Sequence, residues 1–139
     1  MNAGPASRPT LAAENTATVG APFVLEGASP LTNFVAVFED DGDTGYLYGL
    51  DRSGADQPIL DALHIYNVSA ISDRSLPSKF QIVWSADGLK AALYINDYPH
   101  AAFDFAARRG YCRSNFPPPS PAFAAYSHEW SDSVLTFFH

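Results

Sequence analysis

The stretch SKFQIVWSADGLKAALYINDYPHAAFDF, residues 78–105, constrains the fold more than any other part of the chain. Phe80, Ile82 and Trp84 alternate with Gln81 and Val83, and Leu89, Ala91, Leu93 and Ile95 alternate with Lys90, Ala92 and Tyr94. Period-two alternation places every second side chain on one face of a sheet; wound as a helix, the same residues would be smeared around the axis. Ser85-Ala-Asp-Gly88 and Asn96-Asp97 interrupt the pattern with residues that tolerate tight turns. A three-strand antiparallel meander over 80–105 follows. Pro99 has no N–H to give a ladder, so the third strand is expected to begin there or to run at an edge.

The rest of the chain extends this β-rich reading. Phe23-Val-Leu25 is a short strand, Phe34-Val-Ala-Val-Phe38 is an apolar run of β-formers, and Tyr46-Leu-Tyr-Gly-Leu50 is its expected antiparallel partner across Asp41-Gly42 and Thr44-Gly45. Pro58 suits a first helical position, and Ile59, Leu60 and Leu63 share a helical face, so at most one short helix is expected near 58–64, followed by an extended Ile65–Val68. Residues 1–20, rich in Ala and Thr without a period, read as a mobile N-terminal tail ahead of a single globular domain over 21–139. Residues 106–127 read as an irregular C-terminal excursion, and Val134–Phe138 as a last strand. The expected fold is mainly β, a β-rich α+β domain of six to eight antiparallel strands.

The 139 residues are enough to bury a core without a metal or disulfide staple. One cysteine, Cys112, excludes an internal disulfide and favours a reducing compartment; no apolar block long enough for a signal peptide or a membrane span is seen, so the expected location is cytoplasmic. Eight acids and one base fall between Glu26 and Asp61, and this segment alone carries the formal excess of −7. Such a field repels nucleic acid and anionic membranes and attracts cations.

The densest acids lie in VFEDDGDTGYLY, residues 37–48. Read as a calcium loop starting at Glu39, the stretch has Asp41 and Asp43 at positions 3 and 5, but Thr44 and Leu50 stand where glycine and glutamate are required, so no metal site is assigned. The alternatives are a solvated hairpin tip, or a docking surface in which Glu39, Asp40, Asp41, Asp43 and Asp51 meet a basic partner beside Tyr46 and Tyr48. His64, His100, His128 and His139 show neither HxH nor HxxxH spacing, there is no GxSxG elbow or glycine-rich phosphate loop, and no cofactor is implied. Cys112, near Arg108, Arg109 and Arg113, reads as a free thiol in a loop rather than a reactive thiolate. A pocket between the sheet and the C-terminal loop, lined by His64, Tyr66, Trp84, Tyr98, His100 and Trp130, is the alternative site.

The strings EDDGDTGYLYGLD, ILDALHIYNV, QIVWSADGLKAALYINDYPHAAFDF, RRGYCRSNFPPP and HEW together resemble a bacterial family of unknown function, over most of residues 34–130. The resemblance implies a small stand-alone bacterial protein and transfers no catalytic residue. The leading functional expectation is therefore a non-enzymatic acidic module that binds a basic protein, with an immunity protein against a cationic toxin as its concrete form; a small-ligand binder or enzyme is the alternative.

Overall fold

The computed structural model describes residues 8–54, 56, 58–124 and 126–138. Among these residues, nine strands form two antiparallel sheets: β1 (Thr10–Thr18), β2 (Phe23–Ala28), β3 (Phe34–Asp40), β4 (Thr44–Asp51), β5 (Ile59–Asn67), β6 (Pro77–Trp84), β7 (Lys90–Ile95), β8 (Tyr98–Asp104) and β9 (Arg109–Cys112). One sheet has the order β1-β6-β7-β8-β9 and the other β2-β3-β4-β5. The mainly β, antiparallel, single-domain expectation holds, and β6-β7-β8 is the meander read from residues 80–105. Asn96 and Asp97 take φ of 52° and 68° at its second turn, the left-handed pair that lets a two-residue loop match strand twist.

Four expectations are corrected. Thr10–Thr18, placed in a mobile tail, pairs along β6 from Thr10 opposite Trp84 to Thr18 opposite Pro77. Its side chains are half-buried or exposed, because an edge strand needs ladder hydrogen bonds more than an apolar face. Of residues 58–64, read as a short helix, all but Pro58 belong to β5, where the edge of β4 satisfies a backbone that propensity left undecided. Val134–Phe138, read as a strand, lies in a 3-10 helix, Asp132–Phe138, whose Val134 sits on Ala92, Ala102 and Tyr111 and covers the outer face of the five-stranded sheet. The excursion over 106–127 contains β9. Pro99 is near the start of β8, as expected, but β8 is an interior strand.

Residue parity builds the core. Ala36, Phe38 and Asp40 share the inner face of β3, while Val37 and Glu39 face outward. Phe38 stacks on Phe80 of the opposite sheet at 5.1 Å, and Phe105 stacks on Phe34 at 4.5 Å and on Trp84 at 5.5 Å. Trp84 is fully buried and its Nε1–H donates to the Gly27 carbonyl across the sheets at 3.0 Å, so the largest core side chain leaves no polar atom unmet. On the other side, the His64 N–H donates to the Phe116 carbonyl at 2.8 Å, tying the segment after β9 to the edge of β5. No helix among the described residues is long and apolar enough to cross a membrane.

Candidate functional site

The acidic segment is divided by the fold. Asp40, on the inner parity of β3, is 1% exposed. Its Oδ2 accepts the Tyr66 hydroxyl and the Gly20 N–H, each at 2.7 Å, and its Oδ1 accepts the Gly42 N–H at 2.8 Å. Gly45 stands opposite Asp40, and a Cβ there would come within 2.8 Å of the Tyr66 ring, so glycine is what lets the tyrosine cross β4 to reach the carboxylate. Burial, reinforced by the Asp40 hydrogen bond and charge, drives the Tyr66 hydroxyl far above its ordinary range. Asp40 is thus a structural acid and leaves the expected docking set. Asp61 is also buried, and Glu26 is held by both terminal nitrogens of Arg52 at 2.7 Å. Asp51 is removed from the cluster too: it lies at the far end of β4, opposite Phe34, and caps the Ser53 N–H at 2.8 Å.

Glu39, Asp41 and Asp43 remain together. Asp41 Oδ1 accepts the N–H groups of Asp43 and Thr44, both at 2.9 Å, and those bonds hold its carboxyl below the usual range. Glu39 stands opposite Tyr46, and Tyr46 opposite His64, on the outer face of the four-stranded sheet. The Tyr46 and Tyr48 rings stack at 6.0 Å. Partial burial, followed by the charge of Glu39, raises the Tyr48 hydroxyl. None of the three carboxylates has a cationic partner among the described residues, and no buried apolar cluster covers this face there. Among the described residues, no three His, Cys, Asp or Glu side chains gather as metal ligands would.

The expected pocket residues disperse, apart from two. Trp84 is core. Tyr98 and Trp130 flank the Arg113 guanidinium, at 4.8 and 3.8 Å. His64 lies on the outer face, its Nδ1 2.9 Å from Ser114 Oγ and its Nε2 2.9 Å from Asn67 Oδ1, where it fastens the seam beside Phe116. Tyr66 and His100 do meet, in a cleft of ≈ 290 Å³ at one end of the sandwich. The cleft lies against Val19, Ile71 and the β7–β8 turn, not under the C-terminal loop.

Two strand irregularities create that convergence. In β5, Tyr46 faces His64 while Gly45 faces Tyr66, which leaves Ile65 as an extra residue and turns Tyr66 onto the inner parity of Asp61 and Leu63. In β8, Leu93 faces Ala101 while Tyr94 faces Pro99, which leaves His100 unpaired in the ladder. Bulges are not visible in a hydrophobic pattern, and the rest of the lining, including Asp73 in a turn and Ile95 at the end of β7, is gathered only by tertiary closure, so sequence reasoning missed it. Burial, and secondarily the charge of Arg113, lowers His100 to about 4.

Cys112 is corrected from a loop thiol to a buried one at the end of β9, its Sγ 3.5 Å from the Phe116 carbonyl. The nearby arginines are engaged elsewhere: Arg108 lies over Phe123, Arg109 over Tyr111 and Tyr126, and Arg113 over Trp130. Asp61 Oδ2 receives His128 Nε2 at 2.7 Å, sealed from solvent. This pair resembles a catalytic dyad in composition only, because the imidazole is 0% exposed and can reach no substrate.

The fold and its surfaces define a small two-sheet antiparallel β-sandwich with an open sheet face and an end cleft. The chain belongs to the family described as uncharacterized protein conserved in bacteria (DUF2251), whose model matches residues 17–139. It is 48% identical over 87 residues to an uncharacterized protein of Haemophilus influenzae, covering 63% of this chain and 54% of that protein. The chain thus spans about half the length of that curated relative. No solved structure matches.

Proposed function

We propose that the chain is a non-enzymatic binding module that holds a cationic protein segment at the Glu39–Asp43 end of its four-stranded sheet. One observation carries the reading: Glu39, Asp41 and Asp43 have no cationic partner among the described residues, while Tyr46 and Tyr48 lie beside them as a stacked aromatic pair. Carboxylates at the rim speed encounter with a basic surface, and tyrosines supply contact area with little side-chain entropy to lose. A basic toxin as the partner would make the module an immunity protein.

The test is affinity capture from the native bacterium, then binding of the recovered partner by wild type, Glu39→Gln/Asp43→Asn and Glu39→Lys/Asp43→Lys. A basic partner is expected, bound less tightly as salt shortens the screening length, with affinity reduced roughly tenfold by neutralisation and further by reversal. All three proteins should melt together, since Asp43 is exposed and Glu39 faces outward. An acidic partner, or affinity indifferent to both substitutions and to salt, overturns the reading.

A further inference from the structure

The end cleft is distinct from the acidic face, and its polar groups can be followed individually. The Tyr66 hydroxyl is committed to Asp40. Asn96 Oδ1 accepts the Lys79 N–H at 2.9 Å, and its Nδ2 donates to Ser78 Oγ at 3.3 Å. Two lining side chains keep their polar atoms free of hydrogen bonds among the described residues: the Asp73 carboxylate and the His100 imidazole. The remaining walls are largely apolar, from Val19, Ile65, Ile71 and Ile95. An apolar hollow with a few uncommitted polar groups is the usual form of a small-molecule site.

Charge decides the class of ligand. Asp73 is the charged residue of the described lining, and no lysine or arginine lines the cleft there. A carboxylate or phosphate ligand would meet an unpaired carboxylate, whereas an ammonium would neutralise it. We propose that this cleft binds a small amine, with the ammonium on Asp73, an apolar body against Ile65, Ile71 and Ile95, and a second polar atom on the His100 ring. A volume of ≈ 290 Å³ holds roughly ten groups the size of a water molecule, so the body is a single ring or a short branched chain.

Titration with 2-phenylethylamine, followed by amide NMR shifts and calorimetry, tests this against the shape-matched 2-phenylethanol and 3-phenylpropionate. The amine is expected to shift the amides of Val19, Ile71 and Ile95. The alcohol should bind about tenfold more weakly, the size of one charge-assisted contact, and the carboxylate should not bind. Asp73→Asn should reduce the amine to the level of the alcohol. Ile71→Trp should fill the cleft and abolish binding while the fold, checked by the remaining amide spectrum, persists. Absence of cleft shifts at about 10 mM amine, well above a weak-site Kd, or binding of the carboxylate as tight as that of the amine, overturns the proposal.

Discussion

Asp61→Ala is expected to lower Tm by roughly 10–15 °C, the equivalent of about 3–5 kcal/mol for a domain of this length. Asp61 is the buried acceptor on which the C-terminal segment hangs. Its Oδ1 takes the N–H groups of Ala62 at 3.0 Å and Ser120 at 3.2 Å, and its Oδ2 takes His128 Nε2 at 2.7 Å. His128 is fully enclosed, and a Cβ on Gly110 would come within 3.2 Å of its ring and 2.9 Å of Leu63, so the imidazole cannot turn away to find water. Its Nδ1 already lacks a partner among the described residues, which leaves Nε2 as the one hydrogen bond that offsets its burial. Removing the carboxylate strands the buried His128 nitrogen and takes the acceptor from two part-buried N–H groups, a cost that exceeds the apolar gain of an alanine. Asp61→Asn keeps an acceptor oxygen and should lose less than half as much. Hydrogen exchange supplies a local readout, because the Cys112 N–H donates to the His128 carbonyl at 2.8 Å and should lose protection first. A melting point within a few degrees of wild type would show that the segment is held by its aromatic contacts instead.

The clamp also shows where sequence reasoning stops. The meander was readable because its strands are long, alternate cleanly and are joined by turns of characteristic chemistry. The hairpin of β3 and β4 was readable for the same reason. β5 was not, since Asp61 stands on the inner parity where the pattern calls for an apolar residue, and with Pro58, Ile59 and Leu60 ahead of it the helical spacing looked better. A buried polar residue satisfied by a partner 67 positions away leaves no local trace. β1 was lost for the opposite reason: its alanines and threonines are set by pairing with β6 and carry almost no core.

The same distinction runs through the sites. Parity alone could have separated Asp40 from Glu39, because Asp40 follows Ala36 and Phe38 by even steps and inherits their inward direction. That signal was present and outweighed by the charge run. Glu39, Tyr46 and Tyr48 share a face for the complementary reason, by cross-strand register. The cleft gave no such signal: Val19 opens the turn after β1, Asp73 sits in a loop, and Tyr66 and His100 arrive through bulges. Sites assembled at strand ends depend on tertiary closure and escape periodic analysis.

Acidification is expected to expose His100. Its ordinary value of 6.5 falls to about 4 in the folded chain. The unfolded chain therefore binds a proton that the native state refuses throughout that window. Stability due to this group is complete above about 6.5, declines as pH falls from there, and levels off below about 4, a loss of about 2–3 kcal/mol once the solvent-facing part of the ring is allowed for. The groups around the ring decide the sign: burial against Tyr98 and the cleft wall comes first, the charge of Arg113 second, and both oppose the imidazolium. Asp41 and Asp87 are lowered carboxylates, and their contributions fade below the ordinary carboxylate range, so they set a second, more acidic loss. His100→Gln separates the two, since glutamine has no proton to gain. Melting curves at half-unit steps from pH 7 to pH 4 should show the wild type falling by roughly 6–10 °C more than the variant, with the gap opening below about pH 6.5. Parallel curves would mean that the ring is hydrated enough to titrate as it does in the unfolded chain. A ring held neutral at pH 7 also places no positive charge against an ammonium on Asp73, so the group that makes the cleft acid-sensitive is the one that keeps it open to an amine.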